Sequence, residues 1–536
     1  MRTRLPDLAT VYTENSRQDF RSDCGRFEDV SYQLTLKNDA VSVDVTADVT
    51  PICYLRLRWH FTEAERRDEM LRIYGDAWER GGGELEWRGI VPERCMPWFT
   101  LVSNGTDRHQ ARSGRLTEAF GVRVRPAAFC FWQYDADGLT LWMDVRCGGK
   151  GVLLGGRSLH AGEILFRTYE NCTAFEAGQR FCKEMSPEPL TTAHPVYGSN
   201  NWYYAYGDSS HEAILEDARN TAALCAGLKN RPYMVIDDGW SPNPKNGPWT
   251  HGRASFPDMP GLAAEMKKLG VRPGIWTRYI ADEGQVCNLP AEWHVERDDN
   301  YLDPSHPDVL NYIRETTKRF CEWGYELIKF DCSTQDILGR RGYRVPNVIA
   351  EDGWAFHDRT KTSAEIILNF YKTIRETAGK DVVLIGCATI SHLTAGLVEL
   401  GRTGADVNGR SWDITRKMGV NTLAFRMMHH GSFFAADADC IGISGGISWE
   451  NNRKWLKLLS ESGTPLFVSC KPGILNEAQL EELRTAYRHG ADQTDTLIPL
   501  DWMENICPRF YLMNGQEVSF DWFDDSFGCG FDGSTK

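Results

Sequence analysis

From about residue 196 to 485 the chain repeats one pattern. A short apolar, β-prone run ends in polar residues, and a stretch with apolar positions three and four apart follows it. The β-prone runs are 196–202, 233–236, 272–276, 326–330, 382–387, 404–407, 433–436 and 465–470. Among the intervening stretches, 209–230 has the clearest helical period. Ser209-x-x-Glu212 reads as a capping box, and Ile214, Leu215, Ala218, Ala222 and Cys225 keep one face apolar. Strand–helix alternation at this scale predicts a (β/α)₈ barrel. A doubly wound open sheet is the competing arrangement. It is disfavoured because no GxGxxG is present and polar residues follow nearly every run rather than one switch point.

Residues 1–185 follow a different period. Alternating apolar and polar positions recur in short runs (32–36, 41–45, 128–132, 139–145), separated by turn signals such as Lys37-Asn38-Asp39 and Asp135-Ala136-Asp137-Gly138. This predicts a β-sandwich closed by one amphipathic helix over 175–185. A proline-bearing linker, 186–195, leads into the barrel. The expected division is therefore a β-sandwich (1–185), a catalytic barrel (186–485) and a small C-terminal β element (486–536). In the last of these, Asn514-Gly515 between two β-prone runs signals a hairpin.

Composition narrows the function. A chain of 536 residues exceeds one hydrophobic core, and 42% hydrophobic with 25% charged residues is ordinary for a soluble globular protein. A formal net charge of -14 disfavours nucleic acid and anionic membrane as partners. No run is long enough for a membrane span, and the first residues lack an apolar leader core. The 16 cysteines are scattered without a CxxC pair. A cytoplasmic protein with reduced thiols, no metal and no cofactor is the expectation. The 18 tryptophans and 19 tyrosines offer flat faces for the C–H faces of a sugar.

Barrel sites form at the C-terminal ends of the strands. Those ends gather Trp202, Asp237, Asp238, Trp240, Trp276, Lys329, Asp331, Cys387, Arg402, Asp406, Asp437 and Asp439. A single acid there is as often a helix cap or turn former as a functional group. Two adjacent acids, Asp237-Asp238, are costly to bury unless bases or hydroxyls satisfy them. Two carboxylates across a pocket suffice for glycoside hydrolysis. Asp331 suits the ionised role, because Lys329 lies on the same strand face. Asp406 suits the protonated role, following the small, glycine-bearing stretch Arg402-Thr403-Gly404-Ala405. Cys387 reads as a packing residue, and His429-His430 as structural, since neighbouring side chains on a helix diverge.

Taken together these segments resemble the α-galactosidases of glycoside hydrolase clan D, families 27 and 36. Gly198-Ser199-Asn200-Asn201-Trp202 is similar to the first-strand motif and Asp237-Asp238-Gly239-Trp240 to the second. Phe256-Pro257, Gly261-Leu262 and the stretch Leu269 to Trp276 follow the family's next block. Lys329-Phe330-Asp331 is similar to the nucleophile strand, Arg402-x-x-x-Asp406 to the acid/base motif, and Asp437-Ala438-Asp439 to the segment after it. A sandwich ahead of the barrel is similar to family 36. The resemblance implies a retaining exo-glycosidase acting on an α-galactoside or α-galactosaminide. Asp331 would form the covalent intermediate and Asp406 would serve as acid and base, with carboxyl groups ~5–5.5 Å apart. Asp237 and Asp238 would accept from the 4- and 6-hydroxyls. Lys329 would bind O3/O4, Arg402 would bind O2/O3, and Trp202 would stack, with Trp240, Trp276, Cys387, Ala388 and Ser391 as further substrate-binding residues. It also implies a sandwich that shapes the pocket rim or supports a homo-oligomer.

The fifth run departs from family 27 galactosidases. Ala388 and Ser391, after Cys387, stand where bulkier residues close over the sugar's 2-hydroxyl. Small residues there are similar to the N-acetylgalactosaminidase branch, so a pocket that accepts or prefers α-N-acetylgalactosamine is expected. The glycine-rich loop of family 36 between the fifth and sixth strands is missing. A galactosyl transglycosidase sharing every catalytic residue, and an inactive sugar-binding barrel, are the alternatives.

Overall fold

The computed structural model describes residues 2–66, 71–104, 115–341 and 349–523. The N-terminal part holds two antiparallel sheets, one of six strands and one of eight. Val30–Lys37 and Ala40–Thr46 form a hairpin whose turn residues, Asn38 and Asp39, both have positive φ. Alternation puts Val41, Val43 and Val45 inside. The sheets meet through aromatic rings: Trp59 of one packs on Phe166 of the other at 5.0 Å. Helix Ala174–Met185 starts with a capping box between Thr173 and Glu176 and buries Phe175 and Phe181.

The parallel sheet contains nine segments. In chain order they are Tyr197–Asn200, Tyr233–Ile236, Arg272–Thr277, Leu327–Phe330, Val383–Gly386, Leu400–Arg402, Ala435–Asp437, Cys440–Ile443 and Leu466–Cys470. The two ends of the sheet, Ala435–Asp437 and Cys440–Ile443, are separated by only Ala438 and Asp439. They are one strand broken in the middle. Its first half pairs with Leu400–Arg402 and its second with Leu466–Cys470, so the chain itself closes the ring of eight. The break is made at Asp439, which adopts φ +72, a conformation aspartate tolerates better than most residues. Among the described residues no helix is long and apolar enough to cross a membrane.

Three predicted elements move. The first strand ends at Asn200 rather than 202, because Asn200 Oδ1 accepts the N–H of Trp202 (2.8 Å) and turns the chain into helix Trp202–Ala205. The helix expected over 209–230 is His211–Leu224. Its cap is Ser210, whose hydroxyl accepts from Ala213 N, and not the Ser209/Glu212 box, because the Ser209 carbonyl is engaged by Arg253 and Ser255. The sixth strand is Leu400–Arg402 and not 404–407. The β-prone character of 404–407 finds a partner outside the barrel: Gly81 N donates to Thr403 O, and Ala405 N donates to Gly81 O, each at 2.8 Å.

Between the fifth and sixth strands only the four-residue helix Ser391–Thr394 forms. The sandwich covers this gap. His392 donates from Nε2 to Val122 O at 2.6 Å and stacks on Trp98 with ring centres 4.9 Å apart. At the C-terminus, Leu497–Pro499, Phe510–Met513 and Gln516–Ser519 make a three-stranded antiparallel sheet, with the hairpin turn at Asn514-Gly515. Trp502, just before its second strand, is buried against Tyr74, Phe175 and Phe425, where sandwich and barrel meet.

Candidate active site

The fourth strand, Leu327–Phe330, is buried along its whole length and delivers Lys329 and Asp331 to the same side. The Asp331 carboxylate is fixed locally. Oδ1 accepts the N–H of Cys332 at 2.7 Å, which Cys332 permits by adopting φ +58, and Oδ2 lies 3.4 Å from the indole Nε1 of Trp276 on the third strand. Burial pushes its proton affinity up. The charges of Arg80 and then Lys329 outweigh burial and hold the carboxyl well below the usual range. Lys329 itself is bonded elsewhere: its Nζ meets Asp237 Oδ2 at 2.7 Å.

The two acids of the second strand are both buried and both satisfied. Asp237 takes Lys329 and the amide of Asn200 (2.7 Å) on Oδ2, and its N–H donates to Asn201 Oδ1 (2.8 Å). Asp238 accepts the backbone N–H groups of Gly239 (2.7 Å) and Lys245 (2.8 Å). Burial, then the neighbouring Asp237, push the Asp238 carboxyl upward against those bonds. Asn200 and Asn201 lie inside the first-strand motif, yet sequence reasoning gave them no role.

Arg402 ends the sixth strand and is almost wholly buried. Its Nη2 bonds Asp439 Oδ2 at 2.6 Å and Asp406 Oδ1 at 3.2 Å, and its Nη1 reaches Cys387 Sγ at 3.2 Å. Asp439 is the hub that fixes this arginine. It also accepts from the Tyr203 hydroxyl and from Val407 N. The break in the seventh strand therefore has a consequence for the site, because it turns Asp439 toward Arg402. Asp406 stands on the loop beyond, its side chain 47% exposed.

The residue that sequence reasoning missed is Arg80. It belongs to the loop after strand Leu71–Gly75 of the sandwich, yet its Nη1 bonds Asp406 Oδ1 (3.1 Å) and Cys387 Sγ (3.4 Å) across 326 and 307 residues of chain. Its side chain is 6% exposed. Partial loss of water around the half-exposed Asp406 carboxyl raises it, but Arg80 and then Arg402 pull it below the ordinary value, while Asp331 pushes it up. Asp331 and Asp406 thus feel one another and share one arginine. No local signal marks Arg80. The nearest trace is the polar pair Glu79-Arg80 beside three glycines, Gly81 to Gly83.

The remaining candidates divide. Trp276 reaches Asp331, and Trp202 is partly exposed with its ring 5.4 Å from Tyr206. Cys387 lies between the two arginines. Trp240 is fully buried behind the strands against Phe320 and Trp323, and its indole N–H holds Trp276 O at 2.9 Å. It supports the site without touching its contents, contrary to the binding role expected of it. Ala388 is buried, and its carbonyl accepts from Ser333 and Thr334. Ser391 gives its oxygen to Arg426 Nη2 (3.4 Å), inside the contact between sandwich and barrel, so it is not brought to the carboxylates. His430 accepts from Ala436 N, and His429 is buried beside Asp76.

No family model matches the chain. Two curated proteins are similar in sequence, each called probable alpha-galactosidase B. That of Aspergillus oryzae is 25% identical over 329 residues, 54% of this chain and 66% of its own. That of Penicillium simplicissimum is 24% identical over 321 residues, 55% and 68%. The chain spans about two thirds of the length of these relatives. Among solved structures, the α-galactosidase of Thermus thermophilus, determined with p-nitrophenyl α-D-galactopyranoside, superposes with a TM-score of 0.61 at 15% identity, covering 93% of this chain and 98% of that one. AgaB, a family 36 α-galactosidase of Geobacillus stearothermophilus, gives 0.61 at 15% identity, covering 92% and 76%. At that identity the likeness is one of fold. In sequence and in fold the chain's relatives are α-galactosidases, in agreement with the resemblance to clan D glycoside hydrolases that its strand-end motifs carry.

Proposed function

We propose that this chain is a retaining exo-α-galactosidase. The observation that carries it is the pair Asp331, at the end of the fourth strand, and Asp406, on the loop after the sixth, electrostatically linked to each other and both under the charge of Arg80, which bonds Asp406. Asp331, kept ionised by Arg80 and Lys329, attacks the anomeric carbon while Asp406, protonated, gives its proton to the departing oxygen. A glycosyl ester on Asp331 results. Asp406, now a carboxylate, takes a proton from water, whose oxygen displaces Asp331 from the same carbon. The exposure of Asp406 leaves a path for the leaving group and then for water. Lys329 and Arg402 supply donors for ring hydroxyls, and Asp237 and Asp238 supply acceptors. Trp202 at the rim offers a face for stacking.

The names of the sequence relatives support galactose as the sugar. α-Galactoside is proposed over α-N-acetylgalactosaminide. What supports this, besides those names, is that the Arg80 guanidinium lies against Cys387 and that Ser391 is bonded to Arg426. Hydrolysis of nitrophenyl α-galactoside and α-N-acetylgalactosaminide, with NMR of the first sugar anomer released, tests all of this. α-Galactose as first product and a strong preference for the galactoside are expected. β-Galactose first would overturn the retaining mechanism, and a preference for the acetamido sugar would overturn the specificity.

A further inference from the structure

The loop after strand Leu71–Gly75 of the sandwich reaches the acid-bearing segment of the barrel, and the contact is built for it. Asp76, at the start of the loop, forms a fully buried ion pair with Arg426 (2.8 Å). Arg426 also donates to Ala77 O and to Thr403 O, so it ties the loop to the sixth strand's extension. Trp78 is buried among Trp98, Phe129 and Phe131. Gly81 pairs with the 403–405 backbone. Leu85 is held through both N–H and C=O by the Asn421 amide. Arg80 lies between these anchors. Loop and acid-bearing segment are therefore joined side by side: Gly81 N and O bond the residues that flank Gly404, and two residues on, Asp406 meets Arg80. The Arg80 side chain is more than nine-tenths buried, and its Nε also lies 3.2 Å from the buried Glu79 carboxylate.

We propose that Arg80 is a positioning residue of the active site, contributed by the β-sandwich, which orients the Asp406 carboxylate and sets the pH range over which it can act as the acid. This rests on the assignment of Asp406 as acid/base. The groups facing Asp406 divide by sign. Arg80 and Arg402 bond it, and Lys329 adds a more distant positive charge; all three favour the carboxylate. Asp331 opposes them, as does the partial loss of water around the half-exposed carboxyl. Asp439 lies behind Arg402, and the phenols of Tyr203 and Tyr206 also feel the Asp406 charge. The first chemical step needs protonated Asp406, and that fraction falls as pH rises through its pKa. A lowered pKa places the fall at lower pH. Without Arg80, burial and Asp331 are less opposed, so the basic limb moves to higher pH. Asp331 loses its strongest positive neighbour too, so the acidic limb moves the same way, and the pair shifts as a unit.

The test is the pH profile of kcat/KM for nitrophenyl α-galactoside in wild type, Arg80→Ala and Arg80→Lys, with melting temperatures showing that each folds. Arg80→Ala is expected to lose roughly 10- to 100-fold at the optimum, with the whole bell displaced upward by about one pH unit. Arg80→Lys keeps the charge and is expected to restore the bell's position while recovering only part of its height. A folded Arg80→Ala enzyme with a lower but unmoved bell overturns the proposal, as does a lysine variant displaced as far as the alanine one. A second measurement needs no turnover. ¹³C titration of the Asp406 carboxyl, assigned through Asp406→Asn, is expected to give a higher midpoint in Arg80→Ala than in wild type, and equal midpoints overturn the proposal. A wild type inactive on every α-galactoside but showing that midpoint shift would sink the proposed function while leaving Arg80's hold on Asp406 in place.

Discussion

The carboxylates of Asp331 and Asp406 are held in opposite ways. Asp331 is fixed by its own neighbourhood, the next residue's N–H and a tryptophan one strand over, and Arg80 and Lys329 act on it through charge alone. Asp406 sits on a loop after a three-residue strand and is fixed by partners that only tertiary packing supplies, namely Arg402 braced by Asp439, and Arg80 from another sheet system. The contrast fits the roles proposed for the two acids. A nucleophile must stay ionised and close to one carbon, which a rigid buried strand provides. An acid that later becomes a base must exchange protons with leaving group and water, which requires exposure and therefore an external brace.

Four changes would sharpen or break that contrast. The largest loss is expected for Asp331→Asn, which keeps the shape and removes the charge. Activity should fall by at least roughly 10⁴-fold, with melting temperature somewhat lowered because Arg80 and Lys329 lose a negative partner, and substantial residual turnover in the folded variant would refute the nucleophile. Asp406→Ala should cost roughly 10²–10⁴-fold on an alkyl galactoside and visibly less on a nitrophenyl one, whose leaving group needs little protonation. Equal losses on both would argue that Asp406 is not the acid. Asp76→Ala should strand the buried Arg426, destabilising the protein by about 3–5 kcal/mol, read from denaturant unfolding. If the sandwich brace matters as described, activity below the transition should also fall while Asp331's environment persists. Gly404→Ala is the mildest. Its Cβ would meet Met418 O at 2.1 Å and Thr422 Oγ1 at 2.5 Å, so the 403–406 segment must shift. A cost of about 1–3 kcal/mol and a displaced Asp406 are expected, seen as a kcat loss with KM little changed.

Much of the barrel was legible because its signals are local. Apolar runs ending in acids mark Asp237, Asp238 and Asp331, since a buried parallel strand must be apolar until it emerges. The same rule misplaced the sixth strand. The run 404–407 is β-prone, but its hydrogen bonds go to Gly81 rather than along the ring, and periodicity does not name a partner. Trp240 was misread for a related reason. It follows the two acids in sequence, yet Gly239 at φ +104 lets the chain turn so that the indole goes behind the strands. Small side chains at Ala388 and Ser391 imply space, but sequence alone does not show that Ser391 is bonded to Arg426.

By itself the sequence determined the layered order of sandwich, barrel and C-terminal sheet, and the acids that strands deliver directly. These depend on period, turn chemistry and burial, which act over a few residues. Only the tertiary structure decided how the seventh strand breaks to present Asp439, which tryptophan supports and which touches, and that an arginine 326 positions away grips Asp406. Charge acts through space rather than along the chain, so the environment of a carboxylate depends on whichever element packing brings beside it.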